Sequence, residues 1–299
     1  MARYFFIIAF GAILFSSCED VIEIDVPIDE PRLVLDALIR VDTTQEFVDV
    51  KIKATKTNAF FEAIDVVSNL EDIYIYYGVE NEFGEIIDGM YSNLAELETG
   101  SGIYKPDPNF TSDQRIRTNS IVPETAFWLV FDFEDKRYAA KTYYATSVEI
   151  EDLQQGDGTL FGEDETEIII AFTDEPEKEN YYLFDFDFGN FLTSEDTFYE
   201  GQPFSFSYFY DTELTTGDEV AVSILGANEN FYNYMTLLLE QSEGGFGPFQ
   251  TPVATVRGNI FDVTGIDNIN QFNNVGQPDN FPLGYFAFVQ SFQRTLIIE

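Results

Sequence analysis

Residues 126–145 read AFWLVFDFEDKRYAAKTYYA, and the way this stretch divides decides the fold. Phe127 to Phe133 is an aromatic and aliphatic run, Glu134-Asp135-Lys136 is a charged interruption, and Tyr138 to Tyr144 is a second run. Two β-favouring runs on either side of a short polar turn form a hairpin. Outward from it, EDIYIYYGVENEFGEIID (71–88) repeats the unit around a turn at Asn81 to Gly84. EFVDVKIKATKT (46–57) sets Phe47, Val48, Val50 and Ile52 against Asp49, Lys51 and Lys53, the alternation of a half-buried strand. RLVLDALIRVD (32–42) is aliphatic and enters a core, and GIYKPDPNF (102–110) is short and turn-rich. No long helical period interrupts the series, so residues 32–147 are expected to form an Ig-like antiparallel β-sandwich.

At SVEIEDLQQGDG (147–158) acidic, glutamine and glycine residues break the pattern, and the domain boundary is placed there. Beyond it, EIIIAFTDEP (167–176), NYYLFDFDFGNF (180–191), QPFSFSYFYD (202–211) and DEVAVSILG (218–226) read as strands, with VRGNIF and LGYFAFVQSFQRTLII closing the chain. One helix is expected over 228–242, where Phe231, Tyr234, Met235, Leu238 and Leu239 recur at helical spacing and Asn228 is placed to cap. Residues 148–299 are therefore expected to be a β-rich C-terminal domain with one amphipathic helix. In LFDFDFGNF, Phe184, Phe186 and Phe188 are expected to share a core face, with Asp185 and Asp187 solvated opposite; a cation site on the aspartates is the sharper reading. No calcium-loop spacing occurs there or around Asp157-Gly158. PFSFSYFYD is read as a buried sandwich strand; a membrane-barrel strand and an aromatic platform for sugars or proteins are the rival readings. Asp42-Thr43-Thr44 is similar to an O-glycosylation acceptor, with a turn as the plainer reading.

Composition narrows the function. With 54 acidic and 15 basic residues the formal net charge is −39, which sets the chain against nucleic acid, whose phosphates repel it. Apolar residues are 45% of the chain and aromatic residues 16%, too much for disorder. There is no histidine, which removes histidine bases, Ser-His-Asp and Cys-His arrangements and most zinc sites. No G-x-S-x-G, S-x-x-K or phosphate-loop pattern occurs. A pair of carboxylates is enough for glycoside hydrolysis, but no pair stands out among so many acids. The expectation is a non-enzyme with no catalytic residues, no metal and no cofactor.

The N-terminus, MARYFFIIAFGAILFSSCED, supplies the location. Arg3, an apolar run from Tyr4 to Phe15 and the small residues Ser16 and Ser17 have the layout of a secretory signal peptide, and the run is too short for a bilayer-spanning helix. Leu14-Phe15-Ser16-Ser17-Cys18 resembles a bacterial lipobox. Cys18 is the only cysteine, so no internal disulfide is expected. Residues 1–17 are read as a lipoprotein signal peptide, Cys18 as the lipid attachment site, and 18–31 as an acidic tether. Several acyl chains make a stable anchor where one does not. Glu19 and Asp20 resemble a surface-export signal of Gram-negative lipoproteins.

CEDVIEIDVP followed by RLVLDALI, then GIYKPDP, KRYAAKTYYATSVEIEDLQ, ENYYLFDF, GANENFYNYMTLLLEQ, GGFGPFQTP, VRGNIF and PLGYFAF resemble, in order and spacing, the bacterial lipoprotein family catalogued as domain of unknown function 4249. The similarity runs over about residues 18–298. The chain departs from the family in DALIRVD, which lacks the aromatic residue common after the family's valine-glutamate-glycine run. The resemblance implies an outer-membrane lipoprotein, at the cell surface or on the periplasmic leaflet, that serves a TonB-dependent transporter as a binding accessory for an unknown cargo. It implies no catalytic residues. A structural or adhesive surface lipoprotein and, further off, a carboxylate-based glycan hydrolase are the alternatives.

Overall fold

A computed structural model of the chain describes residues 31–58, 65–160, 162, 165–210, 214–242, 255–265 and 281–299. Among these residues the strands are β1 (Leu33–Val41), β2 (Ile52–Lys56), β3 (Asp65–Val66), β4 (Glu71–Glu80), β5 (Ile86–Glu96), β6 (Ile103–Pro106), β7 (Thr125–Phe133), β8 (Lys136–Tyr143), β9 (Asp152–Gln155), β10 (Thr166–Thr173), β11 (Tyr181–Asp185), β12 (Phe191–Glu195), β13 (Pro203–Tyr210), β14 (Glu219–Ala227), β15 (Ile260–Asp262) and β16 (Leu283–Ile297), with one α-helix, α1 (Glu229–Ser242). The chain is thus mainly β, as the alternation of short apolar runs and polar turns requires.

The hairpin of residues 126–145 is β7 and β8, paired from Ala126↔Tyr143 to Phe133↔Lys136. Its turn residues Glu134 and Asp135 both have positive φ, 49° and 61°, the handedness that lets two twisted strands meet through a tight connection. The hairpin of residues 71–88 is β4 and β5. In β5, Ile86 to Asn93 pairs with β4 and Leu94 to Glu96 pairs with β6, so this strand crosses from one sheet layer to the other. Between them the layers enclose a core of Leu35, Ile39, Ile75, Phe127, Leu129, Phe131, Phe286 and Phe288.

A second core gathers Ile168, Ile170 and Phe172 of β10 with Phe184, Phe186, Val220 and Val222, under the three-stranded sheet β13-β10-β9. A third cluster seats Phe231 and Met235 of α1 on Leu183, Leu225, Tyr285, Ala287 and Val289. Asn228 caps the helix through its Oδ1, which accepts from Phe231 N–H at 2.9 Å. Of the residues expected on the apolar stripe, Leu238 is exposed, while Leu239 is half-buried.

β16 ties these cores together. Leu283 to Gln290 pairs in parallel with β1, and Ser291 to Ile297 pairs antiparallel with β14. The parallel pairing departs from the all-antiparallel expectation. The paired half of β16 is a continuous apolar run buried on both faces from Tyr285 to Val289, the composition of a parallel strand, whereas β1 buries one face and leaves Asp36 exposed on the other. Pro31–Glu299 forms one compact unit.

Several expectations change in detail. Within 46–57 only β2 is a strand, although Val48 and Val50 keep the inward alternation. The polar stretch 147–158 contains β9, and its Ile150 is buried in the second core. Phe188 does not join Phe184 and Phe186: it is 64% exposed, because β11 ends at Asp185 and Asp187 and Phe188 take left-handed turn conformations. The PFSFSYFY part of PFSFSYFYD is the sandwich strand β13, with Phe204, Phe206 and Tyr208 packed on the second core. Asp42-Thr43-Thr44 is a turn in which Asp42 Oδ1 accepts from the Thr44 N–H and hydroxyl.

Phe288 is fully buried and stacks on Phe127 with ring centroids 3.8 Å apart. Phe288→Ala is expected to cost about 3–5 kcal/mol in urea unfolding, and a cost below about 1 kcal/mol would contradict the shared core. A second expectation concerns alkali. Burial raises the Tyr199, Tyr138 and Tyr144 hydroxyls to about 12, whereas unfolded tyrosine ionises near 10. Their contribution to stability is complete below about pH 10 and is lost as pH rises through about 12. Urea midpoints should fall across that window, less steeply in Tyr199→Phe; identical profiles for the two proteins would refute the assignment.

Candidate functional site

The residues expected to fix location, Leu14, Phe15, Ser16, Ser17, Cys18, Glu19 and Asp20, and the tether to residue 30, lie outside the described residues. GGFGPFQTP falls outside them too. The described part offers a different candidate, an exposed apolar hairpin of β4 and β5 backed by an aromatic row that runs across β4, β5, β7 and β8.

Alternation along β4 sends Ile73, Ile75 and Tyr77 into the core and leaves Tyr74 and Tyr76 on the outer face. β7 does the same with Trp128. The strand registers place Tyr91, Tyr76, Trp128 and Lys141 in a single row across β5, β4, β7 and β8. Tyr76 stacks on Tyr91 at 4.5 Å and meets Trp128 at 5.8 Å, while Tyr74 lies 5.7 Å from Tyr91. Gly89 is glycine because the Tyr76 ring lies over it: a Cβ there would sit 2.3 Å from Tyr76 Cε2.

Lys141 closes the row. Its Nζ lies 5.1 Å from the Trp128 ring centre and 5.0 Å from that of Tyr143, a cation–π arrangement, and ends 2.7 Å from Glu80 Oε1. Tyr143 donates to Glu80 Oε2 at 2.6 Å. Glu80 Oε1 makes no hydrogen bond of good geometry, but at that distance from the ammonium its charge is met. Burial lowers the Lys141 pKa, yet the nearby Glu80 carboxylate and Tyr143 hydroxyl outweigh it and the pKa ends above the ordinary lysine value. The buried Trp128 indole N–H has no hydrogen-bond partner among the described residues.

Past this row the β4–β5 hairpin exposes apolar side chains: Val79, Phe83, Ile87, Met90 and Tyr91 are all large, apolar or aromatic, and open to solvent. On the other side of Tyr74, a cleft of about 570 Å³ opens where β5 leaves β4 for β6, with Tyr74, Leu94 and Phe110 as apolar walls and Asp72, Asp107 and Arg137 among its polar lining. Arg137 is committed to Asp132, to which its Nε and Nη2 each donate at 2.6 Å. Asp107 Oδ1 accepts from Asn109 N–H, and Glu96 Oε1, also at the cleft, accepts from the N–H groups of Gly100 and Gly102. These carboxylates hold turns. Chemically the surface offers apolar and aromatic contact bordered by negative charge, which suits binding.

Asp185 and Asp187, singled out as a possible cation site, have other work. Asp185 Oδ2 takes Arg40 Nη2 at 2.6 Å, and Asp187 accepts from the N–H groups of Phe188 and Ala221. Among the described residues no group of three or more carboxylates or thiols is placed to hold a metal, and no helix is long and apolar enough to cross a membrane. The outer aromatic row had a signal in the sequence: EDIYIYYGVE alternates isoleucine with tyrosine where a half-solvated strand would alternate isoleucine with polar residues.

Compared with known proteins, the chain matches no protein-family model and no curated protein.

The Tyr76 placement is testable at Gly89. Gly89→Ala should displace the ring, weaken the near-ultraviolet circular dichroism of the tyrosine stack and cost about 1–3 kcal/mol. An unchanged spectrum together with unchanged stability would show that the ring does not lie across this glycine.

Proposed function

We propose that this chain is an outer-membrane lipoprotein, anchored through lipid on Cys18 and displayed at the cell surface. It acts there without catalysis, as a binding or accessory subunit of a TonB-dependent transporter in nutrient capture or uptake. The observation that carries the binding role is the exposed apolar hairpin of β4 and β5: Phe83 is 84% exposed and Ile87 60%, and clustered apolar side chains at a surface mark sites of association. The lipobox-like Leu14 to Cys18, the acidic Glu19 and Asp20, and the resemblance to transporter-associated lipoproteins support the location and the kind of partner. An adhesive lipoprotein would use the same surface on host or matrix material.

Mild detergent extraction of the native outer membrane, with the chain as bait and Cys18→Ala as control, separates these. A transporter recovered in stoichiometric amount and lost in the control is the expected result. The lipoprotein recovered alone would remove the accessory role, and an unaltered membrane association of Cys18→Ala would remove the anchor.

A further inference from the structure

We propose that the tip of the β4–β5 hairpin, Val79 to Tyr91, is a preformed docking element, and that its occupant is a protein surface with an apolar pocket bordered by lysine and arginine. This rests on the reading of the chain as a binding subunit and goes beyond it by naming the contact and the chemistry of the partner.

The tip is built before any partner arrives. Asn81 N–H donates to Glu85 O at 2.9 Å, and Gly84 N–H donates to Asn81 O at 2.9 Å. The Asn81 side chain closes the turn again, with Oδ1 accepting from Phe83 N–H at 2.9 Å and Glu85 N–H at 3.0 Å. Gly84 supplies the left-handed residue, at φ 74°. The turn therefore holds Phe83 out in one backbone setting. A rigid aromatic anchor loses little conformational freedom on binding, which is where much of the cost of association lies. Val79 pairs across the strands with Ile87, so two more exposed apolar side chains stand directly behind the anchor.

Charge chooses among occupants. No lysine or arginine occurs from Glu71 to Tyr104, and the tip carries Glu80, Glu82, Glu85 and Asp88. Glu80 is met by Lys141; the other three have no ion pair among the described residues. An apolar centre inside a carboxylate border is complemented by an apolar pocket inside a basic one. A second copy would bring the same border face to face, on chains of net charge −39, and an anionic lipid surface would repel it. Strand addition is opposed as well: Asp88 takes a left-handed φ of 54° and the register slips between Tyr77 and Val79, irregularities that spoil an edge as a template. Recognition then falls to the side chains, with Phe83 as the anchor.

The test places photo-reactive benzoylphenylalanine at Phe83, and in a control at Phe198, which is 90% exposed elsewhere on the chain. Full-length lipidated protein is irradiated in native outer membranes and the cross-linked peptides are sequenced. A protein adduct from position 83 and not from 198, in a peptide where lysine or arginine flanks apolar residues, is the expected result. Phe83→Asp, and separately Glu82→Lys with Glu85→Lys, should each reduce recovery of that partner about tenfold or more while circular dichroism stays unchanged. Adducts to a second copy or to lipid, or no adduct at all, would overturn the proposal. A transporter recovered equally well with Phe83→Asp would overturn the hairpin contact and leave the accessory role standing. A basic-bordered partner that is not a transporter would uphold the hairpin and remove that role.

Discussion

The structure depends on one strand that belongs to two cores. Phe286 and Phe288 of β16 point into the first core, while Tyr285, Ala287 and Val289 on its other face pack with α1. Burying Phe286, Phe288 or Val289 is worth about 1.5–3 kcal/mol each, and here both faces of one segment count. Farther along, the strand pairs with β14 and brings Leu296 and Ile298 to the second core. Gly284 shows how close the approach is: at φ 94°, a Cβ there would lie 1.8 Å from Leu35 O. Without β16, β1 would lose one of its two strand neighbours and the first core its Phe286 and Phe288. Because β1 and β16 are separated by most of the chain, the first core closes only after a long-range pairing, which is a slow step in folding.

The same architecture explains why the β4–β5 hairpin protrudes. β5 serves two layers, and only its Leu94–Glu96 end is committed to β6. Its other end pairs with β4 past the point where the layers have residues to cover it. Inward parity continues along the strands while the core does not, so Val79 and Ile87 occupy positions that would be buried farther down and are open here. The outer face has its own packing in the Tyr91, Tyr76, Trp128 and Lys141 row. That row stiffens the hairpin from behind, and the Asn81 turn fixes its end.

Local pattern carried much of the fold. The two hairpins, the helix and its Asn228 cap were legible because turn chemistry and periodicity are properties of neighbouring residues. The parallel meeting of β1 and β16 was not legible, since two apolar runs far apart in the chain say that each is buried without saying against what. Phe188 lies off the core face that strict alternation predicts because Asp187, Phe188 and Gly189 turn the chain with positive φ. β9 carries no apolar strand pattern because an edge strand of a small sheet can be polar. At the candidate site, Tyr74 and Tyr76 were visible as tyrosines but not as an outward row, which needs the registers of four strands. The membrane side of the reading rests on residues 14–20 and on the family resemblance.

The acidity of the chain and the greasiness of its hairpin belong to one physical arrangement. Apolar side chains fixed in water invite association with any apolar surface, including another copy of the chain. A border of carboxylates removes the undesired encounters by repulsion, because each identical chain and each anionic lipid face presents like charge. The same border accelerates encounter with a basic surface, and its effect on rate falls as salt screens it. Affinity then comes from Phe83 and the residues behind it, and discrimination from Glu82, Glu85 and Asp88. On the membrane-tethered protein proposed above this division would matter, since diffusion would be confined to the membrane surface and neighbours would be close. Selectivity in such a setting rests on whom the charges turn away as much as on what the apolar tip can fill.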